Sequence, residues 1–260
     1  EYDFPIIRPL RVDKVEENNG RFLIRTNGVQ FSARGIVNAT GTWKTPNIPH
    51  YPGIEKFEGR QLHTNQYKNA KEFIGQHVII VGGGISAVQL LGEISKVTET
   101  TWVTRRPPDF RDNKFTEELG REAVAMVDKR VREGLPTQSV VSVTGLPITP
   151  AIESLLHTDV LDRKPMFDEI IETGVKWNDG TVLNADVIFW NTGFRHSLDH
   201  LDPLHLQNEK GGIEMSGKLA TQVAKDPRIH LTGYGPSAST IGANRAGAAV
   251  AREIIVYLGL

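Results

Sequence analysis

Two hydrophobic rhythms alternate along this chain. Between residues 10 and 41 the apolar positions form short runs that read as strands: Phe22-Leu23-Ile24, a return strand, then Ile36-Val37-Asn38-Ala39-Thr40-Gly41. Asn27-Gly28 between the first two runs is a hairpin signal, because both residues accept the backbone conformations of a tight turn. The segment His77-Val78-Ile79-Ile80-Val81 is a continuous apolar run, as expected of a strand covered on both faces in a parallel sheet. Residues 85–96 then switch to helical spacing, with Ile85, Val88, Leu91 and Ile94 on one side, and 101–104 reads as the next strand. A second amphipathic helix is predicted over 117–133, with Thr116 as its N-cap and Gly134 as its stop. A short helix over 150–157, strands over 169–193 with Asp179-Gly180 as a turn, and a last helix from about Gly242 to Tyr257 follow. Pro46, Pro49, Pro52 and Gly53 mark an extended linker between the two rhythms.

One segment occurs twice. Asn27–Gly41 overlays Asp179–Gly193 without a gap, matching Gly28 with Gly180, Ala33 with Ala185, Ile36 with Ile188, Thr40 with Thr192 and Gly41 with Gly193. Each copy reads as a hairpin turn, a mixed strand and a buried strand ending in Thr-Gly. The second copy is preceded by a glycine-rich β-α-β unit, about 98 residues from Gly82 to Gly180; the same step back from Gly28 lands roughly 70 residues before residue 1. The first copy is therefore expected to lack its own nucleotide-binding unit, and the chain to begin inside a larger protein. The fold class that follows is α/β, with two Rossmann-like, three-layer dinucleotide-binding domains, the first incomplete. Residues 1–50 and 191–260 are assigned to the first domain, 51–76 to a linker, and 77–190 to the second, with a helical insert at about 107–165.

Composition narrows the chemistry. The 260 residues carry a formal charge of −1, with 30 Lys and Arg against 31 Asp and Glu, which argues against nucleic-acid or membrane-surface binding by bulk charge. The absence of cysteine excludes disulfides, thiolate metal sites and a dithiol redox relay. No apolar run approaches the ~18 residues of a membrane span and no signal peptide is evident, so a soluble, cytoplasmic protein is expected.

The 25 glycines are clustered where chemistry is expected. Gly82-Gly83-Gly84-Ile85-Ser86-Ala87 fits G-x-G-x-x-A between a strand and a helix. In such a turn Gly82 permits the sharp bend, Gly84 lets the backbone approach a pyrophosphate and Ala87 lets helix and strand pack closely, with Ser86 in the first helical turn. The next strand ends in Arg105-Arg106 rather than an acidic residue, which favours a 2′-phosphate and hence NADPH over NADH; a solvated basic pair is the alternative.

Phe57-Glu58-Gly59-Arg60-Gln61-Leu62-His63-Thr64-Asn65-Gln66-Tyr67 matches F-x-G-x-x-x-H-x-x-x-Y, and in it the chain resembles the flavin-containing monooxygenases. Ala39-Thr40-Gly41-Thr42-Trp43, Asn191-Thr192-Gly193-Phe194-Arg195 and Ile229–Gly235 with the helix after them resemble the two Thr-Gly boxes and the C-terminal flavin segment of that group. The resemblance spans about residues 20–258. It implies a flavoprotein that passes hydride from NADPH to FAD and uses O₂ to oxygenate an amine, a sulfide or a carbonyl compound. Baeyer–Villiger relatives carry Trp where this chain has Tyr67, which points to the flavin-containing monooxygenase branch. The residues it carries over to cofactor binding are Thr40, Gly41, His63, Thr192, Gly193, Gly233 and Thr240. His63 is open to two readings, a cofactor contact or a histidine that orders the linker backbone. The last helix, with Ser237, Ser239, Thr240 and Gly242 at its start, is likewise either a flavin-facing helix or an ordinary capped one. Tyr234 stands where many two-nucleotide flavoproteins have Asp, which bears on the ribityl contact.

No catalytic side chain and no metal site is assigned. His196, His200, His205 and Asp202 lack the H-E-x-x-H glutamate, and Pro203 limits the helix such a site needs. Gly235-Pro236-Ser237-Ala238-Ser239 lacks the closing glycine of a nucleophile elbow. Three functions remain: an FAD- and NADPH-dependent monooxygenase, a flavoprotein reductase that passes electrons onward, and a non-catalytic nucleotide-binding protein. For these 260 residues NADP(H) binding is expected, with FAD weak or absent. The partners expected are a small-molecule substrate and O₂, with no nucleic acid and no membrane; the sequence does not address the oligomeric state.

Overall fold

The computed structural model describes residues 4–112, 117–138, 145–238 and 240–260. It divides into two compact units. Unit 1 comprises residues 1–44, 121–139 and 196–260, and unit 2 comprises 45–120 and 140–195.

Unit 1 begins with an antiparallel meander of β1 (Val12–Asn18), β2 (Arg21–Thr26) and β3 (Gln30–Ala33), followed by β4 (Ile36–Asn38). The Asn27-Gly28 hairpin forms, closed by Thr26, whose backbone N–H and hydroxyl both donate to the Val29 carbonyl.

Unit 2 is built on a wholly parallel sheet. Its strands are β5 (Arg60–His63), β6 (Val78–Val81), β7 (Thr100–Thr104), and two strands after the helical region, at Arg163–Pro165 and Val187–Trp190. Helix α1 (Ile85–Ile94) connects β6 to β7. The short strands β8 (Phe110–Arg111) and β9 (Leu146–Pro147) pair with each other, on either side of α2 (Glu117–Arg132) in the chain. Helix α3 (Pro150–Leu156) then leads to β10 (Arg163–Pro165). Thr149 caps α3 by accepting from the Ile152 N–H. A second meander, β11 (Glu169–Ile171), β12 (Gly174–Lys176) and β13 (Val182–Asn184), precedes β14 (Val187–Trp190). The sheet order is β10-β7-β6-β14-β5.

The continuous apolar runs serve both faces of this sheet. Val78, Ile80, Trp102, Val187 and Phe189 pack with α1 residues Val88, Leu91 and Ile94 and with Ile152. Ile79, Val81, Val103, Ile188 and Trp190 face the other way, against Ile170 and Val175 of the meander and Phe167. The layers are thus helices, sheet and meander. Each fully buried aliphatic side chain contributes about 1.5–3 kcal/mol, so a two-faced strand stabilises the fold with every residue.

The chain returns to unit 1 through β15 (Met215–Ser216), β16 (Gln222–Val223) and β17 (Ile229–Leu231), in a sheet of order β15-β16-β17-β4 where β17 and β4 run parallel. Helix α4 (Thr240–Leu258) follows. The repeat is visible at element level: β3 and β4 stand to the meander of unit 1 as β13 and β14 stand to that of unit 2.

Several boundaries differ from the expected ones. Residues 51–76 are not a bare linker, since β5 adds the signature segment to the parallel sheet beside β14. Residues 121–139 of the expected insert belong to unit 1, where Val131 is fully buried among Leu201, Ile213 and Tyr234. Gly134 ends α2 as expected, at φ 67°. Thr116 and Ser239 lie outside the described residues, as does the side chain of Thr240.

Candidate functional site

Strand register brings the candidate residues of unit 2 to one edge. Val103, Val81, Trp190 and His63 are level across β7, β6, β14 and β5. The residues that follow each, Thr104-Arg105-Arg106, Gly82-Gly83-Gly84, Asn191-Thr192-Gly193 and Thr64, therefore lie together outside the carboxyl ends of parallel strands. In open α/β sheets that is where ligands bind.

Gly82 is held on three sides. Its N–H donates to the Val103 carbonyl at 2.9 Å, and its own carbonyl accepts from the Trp102 indole N–H at 2.7 Å. Its φ is 139°, and a Cβ there would fall 2.3 Å from the Asn191 carbonyl oxygen. Both facts require glycine. Gly83 is exposed, and Gly84 is the N-cap of α1 with no side chain to satisfy the first N–H groups. A Cβ on Gly84 would meet nothing within 4 Å. Ser86 is half-buried in the first turn, and Ala87 is fully buried against the sheet. A pyrophosphate fits here: the turn is made by a glycine that nothing else can replace, and the helix N-terminus has an open approach.

Arg105 and Arg106 are both exposed, directly after β7. Thr104 fixes this bend by donating from its hydroxyl to the Arg106 carbonyl at 2.8 Å. Beside them Tyr51 stacks on Trp190 at 6.1 Å; burial pushes its phenol pKa up, opposed by the positive charge of Arg105.

His63 is completely buried, and its Nε2 donates to the Gly193 carbonyl at 2.9 Å. Its ring meets Phe194 edge-on at 4.7 Å. Burial holds its pKa below that of a free imidazole, against the Gly193 carbonyl and the Asn65 side chain, which favour the protonated ring. Asn47 reinforces the same loop, donating from its backbone N–H to the Gly193 carbonyl and from its side chain to the Thr192 carbonyl, while the Thr192 hydroxyl donates to the Asn47 carbonyl. The Thr64 hydroxyl donates to Asn191 Oδ1 at 2.9 Å.

In unit 1 the ends of β4 and β17 are also level, with Leu231 beside Asn38. Thr40 donates from its hydroxyl to the Ser197 carbonyl at 2.7 Å, and Asn38 accepts from the Thr232 N–H and is hydrogen-bonded to His200 at 2.9 Å. Gly41 and Gly193, the matching ends of the two repeats, share positive φ values of 65° and 81°. Gly233 donates from its N–H to the Ser237 hydroxyl. Tyr234 is buried, with its hydroxyl accepting the Ile213 N–H at 3.2 Å. Its side chain therefore fills the core of unit 1 and does not take up the position of a ligand-facing Asp.

His196 is hydrogen-bonded to Thr137, and His200 to Asn38, so the two rings serve different partners. Among the described residues no group of three His, Asp or Glu could hold a metal, and no helix is long and apolar enough to cross a membrane.

The profile described as "Pyridine nucleotide-disulphide oxidoreductase" matches residues 1–233. The chain belongs to that family. Within it the chain belongs with the flavin-containing monooxygenases. It is 32% identical to the flavin-containing monooxygenase from Stenotrophomonas maltophilia, covering 98% of this chain and 72% of that one with a TM-score of 0.79. It is 26% identical over 244 residues to the uncharacterized oxidoreductase CzcO of Bacillus subtilis, covering 91% of this chain and 65% of CzcO. A stretch of 61 residues, 24% of this chain and 14% of the relative, is 43% identical to trimethylamine monooxygenase of Methylocella silvestris. The chain thus spans a little under two thirds of the length of CzcO. The sequence motifs located the family; Trp102 and Asn47, which shape the site, lie outside every motif, and their roles appear only through their hydrogen bonds to Gly82 and to the Thr192-Gly193 loop.

Proposed function

We propose that unit 2 binds NADP(H) on the turn from Gly82 to Ala87, and that the chain belongs to an FAD-dependent monooxygenase. The observation that carries this reading is the level register of β7, β6 and β14, which sets two exposed arginines beside a glycine turn at the head of α1. Gly82, Gly84, Ser86 and Ala87 hold the pyrophosphate, and Arg105 and Arg106 bind the 2′-phosphate. Thr192, held by Asn47, and Gly193, held by His63 and Asn47, border the same site.

In unit 1, Thr40, Gly41 and Gly233 at the ends of β4 and β17, with Thr240 at the start of α4, contact FAD. When bound, the flavin supplies the hydride and oxygen chemistry. The substrate is a small nucleophile or carbonyl compound, with O₂ as co-substrate. Strand β14 has partners on both edges and β4 on one among the described residues. This edge position of β4 supports weak FAD retention by these residues alone.

Calorimetric titration of this chain with NADP⁺ and NAD⁺ tests the nucleotide assignment. Arg105→Ala with Arg106→Ala lowers NADP⁺ affinity at least about ten-fold and leaves NAD⁺ unchanged. Equal losses overturn the assignment. For the FAD-loaded enzyme, oxygen uptake coupled to product supports a monooxygenase, whereas NADPH oxidation only with an added electron acceptor indicates a reductase.

A further inference from the structure

We propose that Trp102 is a positioning residue for the dinucleotide: its indole N–H fixes the carbonyl of Gly82 and so aims the N–H of Gly83 at the phosphates. The inference rests on the NADP(H) reading above. Gly82-Gly83-Gly84 has no Cβ to resist rotation of the peptide planes between its residues, so its conformation must be imposed from outside. Trp102 is 1% exposed in β7, and it places its single donor 2.7 Å from the Gly82 carbonyl oxygen. A trans peptide points its C=O and N–H in opposite directions. Holding the Gly82 carbonyl toward Trp102 therefore turns the Gly83 N–H away from it, on a residue that is exposed. The neighbouring constraints keep the plane from escaping: the Gly82 N–H is committed to Val103, and the Asn191 carbonyl closes the side where a Cβ would stand. A phenylalanine at 102 would fill most of the same space and leave that carbonyl unheld.

The test compares the wild-type chain with Trp102→Phe, and with a chain carrying 3-benzothienylalanine at 102, which replaces the indole N–H by sulfur at nearly unchanged shape. Both are titrated with NADP⁺, NAD⁺ and adenosine 2′-monophosphate. Loss of one neutral hydrogen bond corresponds to about a five-fold loss of affinity. That loss is expected for NADP⁺ and NAD⁺ alike, since both carry the pyrophosphate. Adenosine 2′-monophosphate, which has the phosphate faced by Arg105 and Arg106 but no pyrophosphate, binds all three proteins equally. Unchanged NADP⁺ and NAD⁺ affinity in the benzothienylalanine protein overturns the role of Trp102 and leaves the nucleotide assignment standing. An equal loss for adenosine 2′-monophosphate also overturns it, because general loosening then explains the effect. A wild-type chain that binds none of the three overturns both readings together.

Discussion

The Nε2 of His63 donates to the carbonyl of Gly193 across 2.9 Å, from the end of β5 to the loop after β14. The most conspicuous residue of the monooxygenase signature is fully buried, and its hydrogen bond is to backbone. A neutral imidazole suits this place, because a protonated one would carry charge into a site where burial disfavours it.

Removing that bond leaves a buried carbonyl with one partner fewer. His63→Ala is expected to cost about 1–3 kcal/mol of unfolding free energy, and His63→Gln, which keeps a donor, about half as much. Urea denaturation of both variants checks this; an unchanged midpoint for His63→Ala contradicts it.

The glycine turn offers a contrast between fold and ligand. Gly82→Ala forces a Cβ to 2.3 Å from a carbonyl oxygen at φ 139°, and is expected to destabilise by more than about 2 kcal/mol. Gly84→Ala meets nothing within 4 Å, so its melting temperature should stay near wild type while NADP⁺ affinity falls. Thermal melts set beside nucleotide titrations separate the two effects.

Acid lability follows from the histidines. Burial holds His63, His196, His200 and His230 below the pKa of a free imidazole, with Asp199 and Asp202 opposing at His200 and Glu253 at His230. The unfolded chain then binds more protons than the folded one as pH falls below about 6.5. Their contribution to stability is complete above that pH and is lost as pH drops through the lower folded values. The melting temperature should be flat from about pH 7 to 8 and decline below about 6.5. His230, fully buried, 3.7 Å from the Glu253 carboxylate and with no hydrogen-bond partner on either ring nitrogen among the described residues, should account for part of the slope. His230→Phe is expected to flatten it, and an unaltered pH profile in that variant argues against the assignment.

Arg228 joins the N-terminal meander to β17. Its guanidinium pairs with Asp226 at 2.6 Å, donates to the Gly20 carbonyl at 2.9 Å and lies 4.5 Å from the centre of the Phe22 ring. Arg228→Ala strands a half-buried carboxylate and exposes Phe22, for an expected loss of about 2–3 kcal/mol. Adding Asp226→Asn should recover part of that loss. Chemical denaturation of the single and double variants measures the coupling.

The parallel sheet was legible because strands buried on both faces must be apolar throughout, as Val78–Val81 is. The glycine turn was legible because close backbone approach leaves only one residue type. The repeat was legible through its Thr-Gly ends, since Gly41 and Gly193 share a left-handed conformation. Strand β5 was not: Arg60-Gln61-Leu62-His63 has neither an apolar run nor clear alternation, and it becomes a strand only through β14 beside it. Residues 121–139 read as part of one insert, yet Val131 is buried in unit 1, and helical periodicity says which face of a helix is covered but not by what. Tyr234 shows the same limit, since identity at a motif position does not reveal whether the side chain turns to ligand or core.

The place of β5 in the sheet has a consequence for how this protein is made. Its sole neighbour among the described residues, β14, pairs Val187 with Arg60 and so leaves the ribosome more than a hundred residues later. Until then β6 and β7 can join through the local α1 crossover, while the signature strand stays without a partner and its backbone groups remain open to water or to another chain. Unit 2 should therefore close late in synthesis, with its nucleotide turn formed early and its edge sealed last.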